Sequence, residues 1–281
     1  MKIINLKLLA CLLIFLCSTA VSAQSSENST YHPLMTSKFT LGVGVYVPRK
    51  QFELQVNGST PGDKVDFDEV LNLDESESTL SVDFRWRYTK NWSLWAQHWA
   101  IDSQGSSTLT ADFTFEDQTF LAGTFAAAGV KTSITRIFFG RSFLNSKPRH
   151  ELGFGAGIHW MEFDAFIEGQ VLAVPGPGTE FRREETDAGF PLPNLGVWYL
   201  YSWSPKWMFG ARLDWLSVSI GDYSGGLSDL QVGVNYQMSK IFGIGFSYDR
   251  FNLNVDATSS DLSGQIETGQ AGPRLVLTAT F

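Results

Sequence analysis

About ten times along this chain, apolar and polar residues trade places at every step, and a period of two is the signature of strands with one apolar face. Within 38–47, Phe39, Leu41, Val43 and Val45 alternate with Thr40, Gly42 and Gly44. Within 79–88, Leu80, Val82, Phe84, Trp86 and Tyr88 alternate with Ser81, Asp83, Arg85 and Arg87, so one face is wholly apolar and the other carries charge. The texture returns in 152–160, 195–203, 209–215, 230–236, 242–248 and 275–281. Two more segments, 92–101 and 130–143, are strand-like but change phase. Arg136 shares a face with Ile134 and opposes Ile137 and Phe139, which predicts a bulge there. The expected fold is all-β: an antiparallel up-and-down barrel of about ten strands, with eight as the alternative.

The connections alternate in length. Those at 89–91, 144–149, 204–206 and 239–240 are short; those at 48–78, 102–129, 161–190, 220–226 and 256–264 are mostly longer and rich in Gly, Ser and Asp. Short turns at one end and long loops at the other are the habit of a barrel inserted in an outer membrane, with the short turns periplasmic. An even strand count then places both termini on the periplasmic side.

Alternation alone does not say which face looks inward, and the aromatic residues decide it. Tyr88, Trp92, Tyr201, Trp203, Trp207, Tyr236, Phe242 and Phe281 all fall beside the short turns, hence at one level, where amphipathic rings form a membrane-interface girdle. The apolar faces then look at lipid and the polar faces at the lumen. Asp83, Arg85, Arg87, Arg212, Asp214, Asp249 and Arg274, with Arg136 if its strand faces as drawn, become a cross-lumen network. That set holds four arginines against three aspartates without Arg136, so any residual conductance would favour anions. The inward Gly-x-Gly pairs leave room for the long side chains opposite.

The ends are of a different character. Lys2 and Lys7 precede the apolar run 8–16, which is followed by Val21-Ser22-Ala23. This is the order of a secretory signal peptide over 1–23, cleaved before Gln24. A polar, flexible periplasmic leader is expected over 24–37 and a single barrel domain over 38–281. Both cysteines, Cys11 and Cys17, would leave with the signal, so no disulfide or thiolate metal site is expected. Lys2 and Lys7 would leave too, giving 19 basic against 29 acidic residues, a net charge of −10 that argues against nucleic acid as a partner.

Leu275-Val276-Leu277-Thr278-Ala279-Thr280-Phe281, an alternating strand ending on Phe, resembles the terminal strand of bacterial outer-membrane proteins. The resemblance implies that Phe281 is read by the barrel-assembly machinery. With Asp66-Phe67-Asp68 through Leu71-Asn72-Leu73-Asp74, Phe84-Arg85-Trp86-Arg87-Tyr88, Arg149-His150-Glu151-Leu152-Gly153 and Leu192-Pro193-Asn194-Leu195-Gly196, the chain is similar to a proteobacterial family of outer-membrane barrels. That family lies in the broad group of opacity-type and outer-membrane-protein-A-like barrels. The resemblance implies a fold and a location in the outer membrane, among its lipid and lipopolysaccharide, and no particular activity.

Catalytic and metal chemistry find little footing in the pattern. His32 falls in the leader and His150 at a periplasmic turn, while His98 and His159 lie toward the outer rim, His159 facing inward near Glu162 and Asp164. Barrel proteases of the omptin type and barrel lipid A acyltransferases use rim histidines. Neither the paired aspartates of the former nor a serine beside a histidine is present, so no enzymatic activity, cofactor or metal is expected. The first long loop is acidic, with Asp63, Asp66, Asp68, Glu69, Asp74, Glu75 and Glu77, but it has no EF-hand spacing. The expected role is structural or surface-interacting with a plugged lumen. A narrow channel for small solutes is the alternative, and a rim-located membrane enzyme comes third.

Overall fold

The computed structural model describes residues 30–56, 65–66, 78–110, 112–115, 118–143, 148–172, 179–220, 223–258 and 263–281. The expected signal segment, its cleavage position and most of the acidic loop lie outside the described residues. The strands are β1 (Phe39–Tyr46), β2 (Arg49–Val56), β3 (Val65–Asp66), β4 (Thr79–Arg87), β5 (Trp92–Thr108), β6 (Phe113–Phe115), β7 (Gln118–Phe120), β8 (Phe125–Ser142), β9 (His150–Leu172), β10 (Thr179–Ser202), β11 (Trp207–Ile220), β12 (Tyr223–Gln237), β13 (Phe242–Thr258) and β14 (Ser263–Thr280). Each long strand pairs antiparallel with the next, and β1 closes on β14 from Thr40↔Thr280 to Tyr46↔Arg274. Beyond Pro48, β2 continues the first stave along β14, from Arg49↔Ala271 to Val56↔Gly264. The result is a closed barrel of ten antiparallel staves. Among the described residues no helix is long and apolar enough to cross a membrane.

At the seam the two chain ends lock together. Phe39 N–H donates to the Phe281 carbonyl at 3.0 Å and Phe281 N–H to the Phe39 carbonyl at 2.9 Å.

On the outer face, each stave presents apolar side chains from the short-turn end up to a common level. On β9 these are Leu152, Phe154, Ala156, Ile158 and Trp160; on β11, Trp207, Phe209, Ala211, Leu213 and Trp215; on β13, Phe242, Ile244, Phe246 and Tyr248. An exposed apolar belt of this extent is stable only against hydrocarbon. Its height of about nine residues per strand matches a bilayer crossed at a tilt. The aromatic residues that the sequence places at the lower interface touch one another along the rim. Tyr201, Trp203, Trp207 and Tyr236 follow one another with ring centroids 6.4, 6.0 and 4.8 Å apart. Trp86 and Tyr88 meet edge to face at 5.3 Å, and Trp92 stacks on Phe139.

Above that level the polarity inverts. On β9 the outward positions become Glu162, Asp164 and Glu168, while the inward positions become Met161, Phe163, Ala165, Ile167 and Val171, all buried. On β8, Ile137 and Phe139 face lipid below, and Ile134, Val130, Ala128 and Ala126 face the interior above. The barrel is thus built inside-out within the membrane and in the manner of a soluble protein beyond it.

This inversion corrects two expectations. No bulge interrupts 92–101 or 130–143: the β5–β8 register runs unbroken from Trp92↔Arg141 to Thr108↔Phe125, and β8–β9 from Ala126↔Gly169 to Ser142↔Gly153. The phase change is chemical and the backbone continues through it. Nor are 102–129 and 161–190 long loops, for most of their length is strand. β9 and β10 continue to Leu172 and start from Thr179, carrying the wall about 12 residues past Trp160, roughly 30 Å for a tilted strand.

Candidate functional site

The described part of the 24–37 stretch is packed into the mouth of the barrel at its short-turn end, which corrects the expected flexible leader. Pro33–Met35 form one turn of 3-10 helix, with the His32 ring Nδ1 accepting from Leu34 N–H. His32 is fully buried, and its backbone N–H donates to Ser202 Oγ at 2.9 Å. The Leu34 carbonyl accepts from Arg85 Nη1 at 3.2 Å. Met35 sits in an apolar cluster with Phe138, Trp198, Leu200 and Met208. This plug lies outside the spanning strands, and burial lowers its His32 imidazole to about 4, opposed in part by the Asn235 side chain. A free imidazole titrates near 6.5. A depressed folded value means that seating of the plug is undisturbed above pH ~6.5 and weakens as pH falls toward 4. Relative to the rate for the same protein unfolded in urea at the same pH, a thiol-reactive probe should therefore label Met35→Cys more readily at pH 5 than at pH 8, and His32→Gln should remove the difference. Equal relative labelling at both pH values in the His32 protein would discount the plug as a titrating element.

Next inward, Glu151 accepts from Arg85 at 2.5 Å, from Arg87 at 2.8 Å and from Trp198 Nε1 at 2.8 Å. The Trp198 indole has room because Gly140 and Gly153 lie beneath it; a Cβ on Gly153 would stand 2.0 Å from its six-membered ring. The inward glycines of β9 therefore seat an aromatic ring, whereas the sequence suggested that they make space for charges.

The charged layer proper follows. Arg136 grips Asp214 with Nε on Oδ2 and with Nη2 on Oδ1 at 3.1 Å, a bidentate pair. Gly196 makes room for that carboxylate, since a Cβ there would lie 2.1 Å from Asp214 Oδ1. Arg212 donates to Asp229 at 2.6 Å and to Gln97 at 2.9 Å. Arg274 donates to both oxygens of Asp83 at 2.9 and 3.0 Å, and its Nε lies 2.9 Å from Asp249. His159 places Nε2 3.2 Å from Asp229 and 4.0 Å from Asp214, with Nδ1 3.2 Å from Asn194 Oδ1.

All seven residues assigned to the lumen from sequence, and Arg136, project inward. Glu151 and Asp229 complete their pairs and escaped the sequence reading. Both lie on inward faces already visible by alternation: Glu151 two residues before Gly153, and Asp229 two before Gln231. With them included, five arginines meet five carboxylates between the plug and the apolar layer above. The expected excess of positive charge, and the anion preference built on it, therefore fall away.

His159, Asp214 and Asp229 offer three potential metal-ligand atoms within 4.8 Å of one another. Arg136 and Arg212 already occupy both carboxylates, an arrangement that answers negative charge with guanidinium groups instead of a cation. The remaining histidines lie apart from this cluster. His98 faces outward and bonds Thr135 at 2.9 Å; His150 stacks on Tyr201 at the lower girdle and meets Tyr199 Oη at 2.7 Å.

Directly above the charges on the same strands come Ile134, Met161, Leu227 and Phe251, joined by Tyr46, Trp99, Ile101 and Leu253 in one buried cluster.

No family model and no curated protein matches the chain. Among solved structures it is similar to the outer membrane protease OmpT from Escherichia coli, at 12% identity over 92% of this chain and 100% of that one, with a TM-score of 0.59. The chain has the fold of a bacterial outer-membrane barrel. Likeness to the toluene transporter TodX of Pseudomonas putida (5% identity, 90% and 92% covered, TM-score 0.31) is much looser. So is that to Ail, the attachment invasion locus protein of Yersinia pestis (9% identity, 85% and 99% covered, TM-score 0.28). The expectation that this chain is not an enzyme is corrected by the first likeness. The architecture is shared with an outer-membrane protease, so neither the barrel nor the lack of a familiar rim motif is ground for setting catalysis aside.

Proposed function

We propose that this chain is an integral outer-membrane barrel with a closed lumen, acting from its extracellular wall as a structural or surface-interaction protein. One observation carries the reading: the lumen is filled at three successive levels, by the plug, by the paired charges and by the apolar cluster. A channel would need water and solute to pass the buried Ile134, Met161 and Phe251, and a dry apolar constriction resists wetting. The roughly 30 Å of wall beyond the lipid gives the protein its reach into the surroundings. On this reading lipid and lipopolysaccharide surround the aromatic girdle, Phe281 addresses the chain to the assembly machinery, and residues 1–23 are removed on export. Refolded protein in planar bilayers should stay electrically silent across a salt gradient. Stepwise conductance from the parent protein would replace this reading with that of a channel.

A further inference from the structure

Between the plug and the paired charges the lumen leaves a cavity of about 190 Å³. That is room for about six waters at ~30 Å³ each, or for one molecule with a single ring. Its walls are largely apolar, with Trp95, Phe138, Trp198, Met208 and Val276 prominent, and Leu34 of the plug contributes to the lining.

Six charged side chains border this space, but they do not present themselves equally. Arg85, Arg136, Arg212, Arg274 and Asp214 are 11% exposed or less, whereas Asp83 is 29% exposed. The charged group offered to an occupant is therefore the Asp83 carboxylate. Its pairing is also incomplete in charge. Arg274 serves Asp83 and Asp249 together, one guanidinium for two carboxylates, while the matching surplus sits at the mouth, where Arg85 and Arg87 share Glu151. A carboxylate that is only half answered and faces an apolar hollow gains from a cation placed against it.

We propose that this cavity binds a small organic cation, a primary ammonium on an apolar body of single-ring size. The ammonium sits on Asp83 and the body lies among Trp95, Phe138 and Trp198. Such a group has three donors, of which a carboxylate already bonded at both oxygens by Arg274 can accept two more, and its apolar body displaces cavity water from aromatic walls. The site opens at the short-turn end when the plug leaves, because Leu34 of the plug is part of its lining. It is independent of the surface role proposed above, which would stand if the cavity bound nothing.

The test uses the full refolded protein in detergent, with benzylamine as probe and benzoate as its charge-reversed counterpart, followed by calorimetry. Benzylamine should bind saturably at one site and benzoate should not. Asp83→Asn should weaken benzylamine roughly tenfold or more, the effect of losing one charge-assisted bond in a dry site. Val276→Trp, which fills the cavity, should abolish binding while the heat-modifiable gel mobility of the folded barrel is kept. The proposal is overturned if folded parent protein shows no saturable benzylamine binding. Benzoate binding as tightly, or full affinity in Val276→Trp, would overturn it equally. Should Asp83→Asn fail to fold, the benzylamine–benzoate comparison and Val276→Trp still decide.

Discussion

Asp214→Ala is expected to lower the stability of the barrel by about 3–5 kcal/mol, read as the midpoint of the heat-induced gel-mobility shift or of urea unfolding in lipid vesicles. Arg136 is 1% exposed and its two bonds to Asp214 are the strongest reason it can stay charged where it is. Without the carboxylate, a buried guanidinium is left unpaired with Arg212 nearby. Asp214→Asn preserves the shape and one acceptor and should cost less. The double replacement Arg136→Met with Asp214→Leu should recover much of the loss, because the penalty belongs to the unpaired charge. Arg183→Ala, which breaks the exposed pairs to Glu168 and Glu185 on the wall above the apolar belt, should move the midpoint by no more than about 1 kcal/mol. An Asp214→Ala protein as stable as its parent would mean that water reaches the pair, and the account of a closed lumen would lose its main support.

The pairs themselves could not be read from the chain. That Asp83, Arg274, Arg136 and Asp214 face inward follows from alternation alone. That Arg274 answers Asp83 across 191 positions, and Arg136 answers Asp214 across 78, depends on how ten staves close and how far the barrel shears. Glu151 and Asp229 were missed for a simpler reason: the sequence segments were begun at the first large apolar residue, which cut away the polar residue lying one step earlier on the opposite face. The leader was misjudged because a short polar stretch with one proline has no period, and only the mouth of the finished barrel gives His32 and Met35 somewhere to be buried.

The strand phase shows where a correct rule was applied with the wrong partner. Period two was right along all of β8, but an alternation that changes phase has two physical causes. One is an inserted residue that turns the backbone, and the other is a change in which face is dry. Ile134 beside Arg136 was read as the first and is the second, since Ile134 stands just above the level at which the surroundings pass from lipid to water. The same blindness turned the upper halves of β9 and β10 into loops. Outward Glu162, Asp164, Glu185 and Asp187 look like loop chemistry until their inward neighbours Met161, Phe163 and Ala188 are taken as a second apolar stripe.

If polarity does invert at Trp160, tolerance to charge should swap faces within a few residues of one strand. On β9, Phe154→Arg places a cation in the lipid-facing belt and should cost about 2–4 kcal/mol, the range for arginine deep in a bilayer. Glu162→Arg, outward on the same face but past the belt, should cost little, within about 1 kcal/mol. Met161→Arg, one residue away and fully buried among Ile134, Leu227 and Phe251, should be worse than either. A charge there has no partner and no route to water, and ~3–5 kcal/mol is the usual scale for that fault. The measurement is urea unfolding of each variant in phospholipid vesicles, with Phe246→Arg on β13 as a second probe of the belt and Asn252→Arg as its control above Tyr248. A Glu162→Arg protein as damaged as Phe154→Arg would place the lipid boundary higher than Trp160. A Met161→Arg protein as stable as the parent would mean that the interior above the charged layer holds water, and the lumen would then have a wet path down to Asp229 and His159.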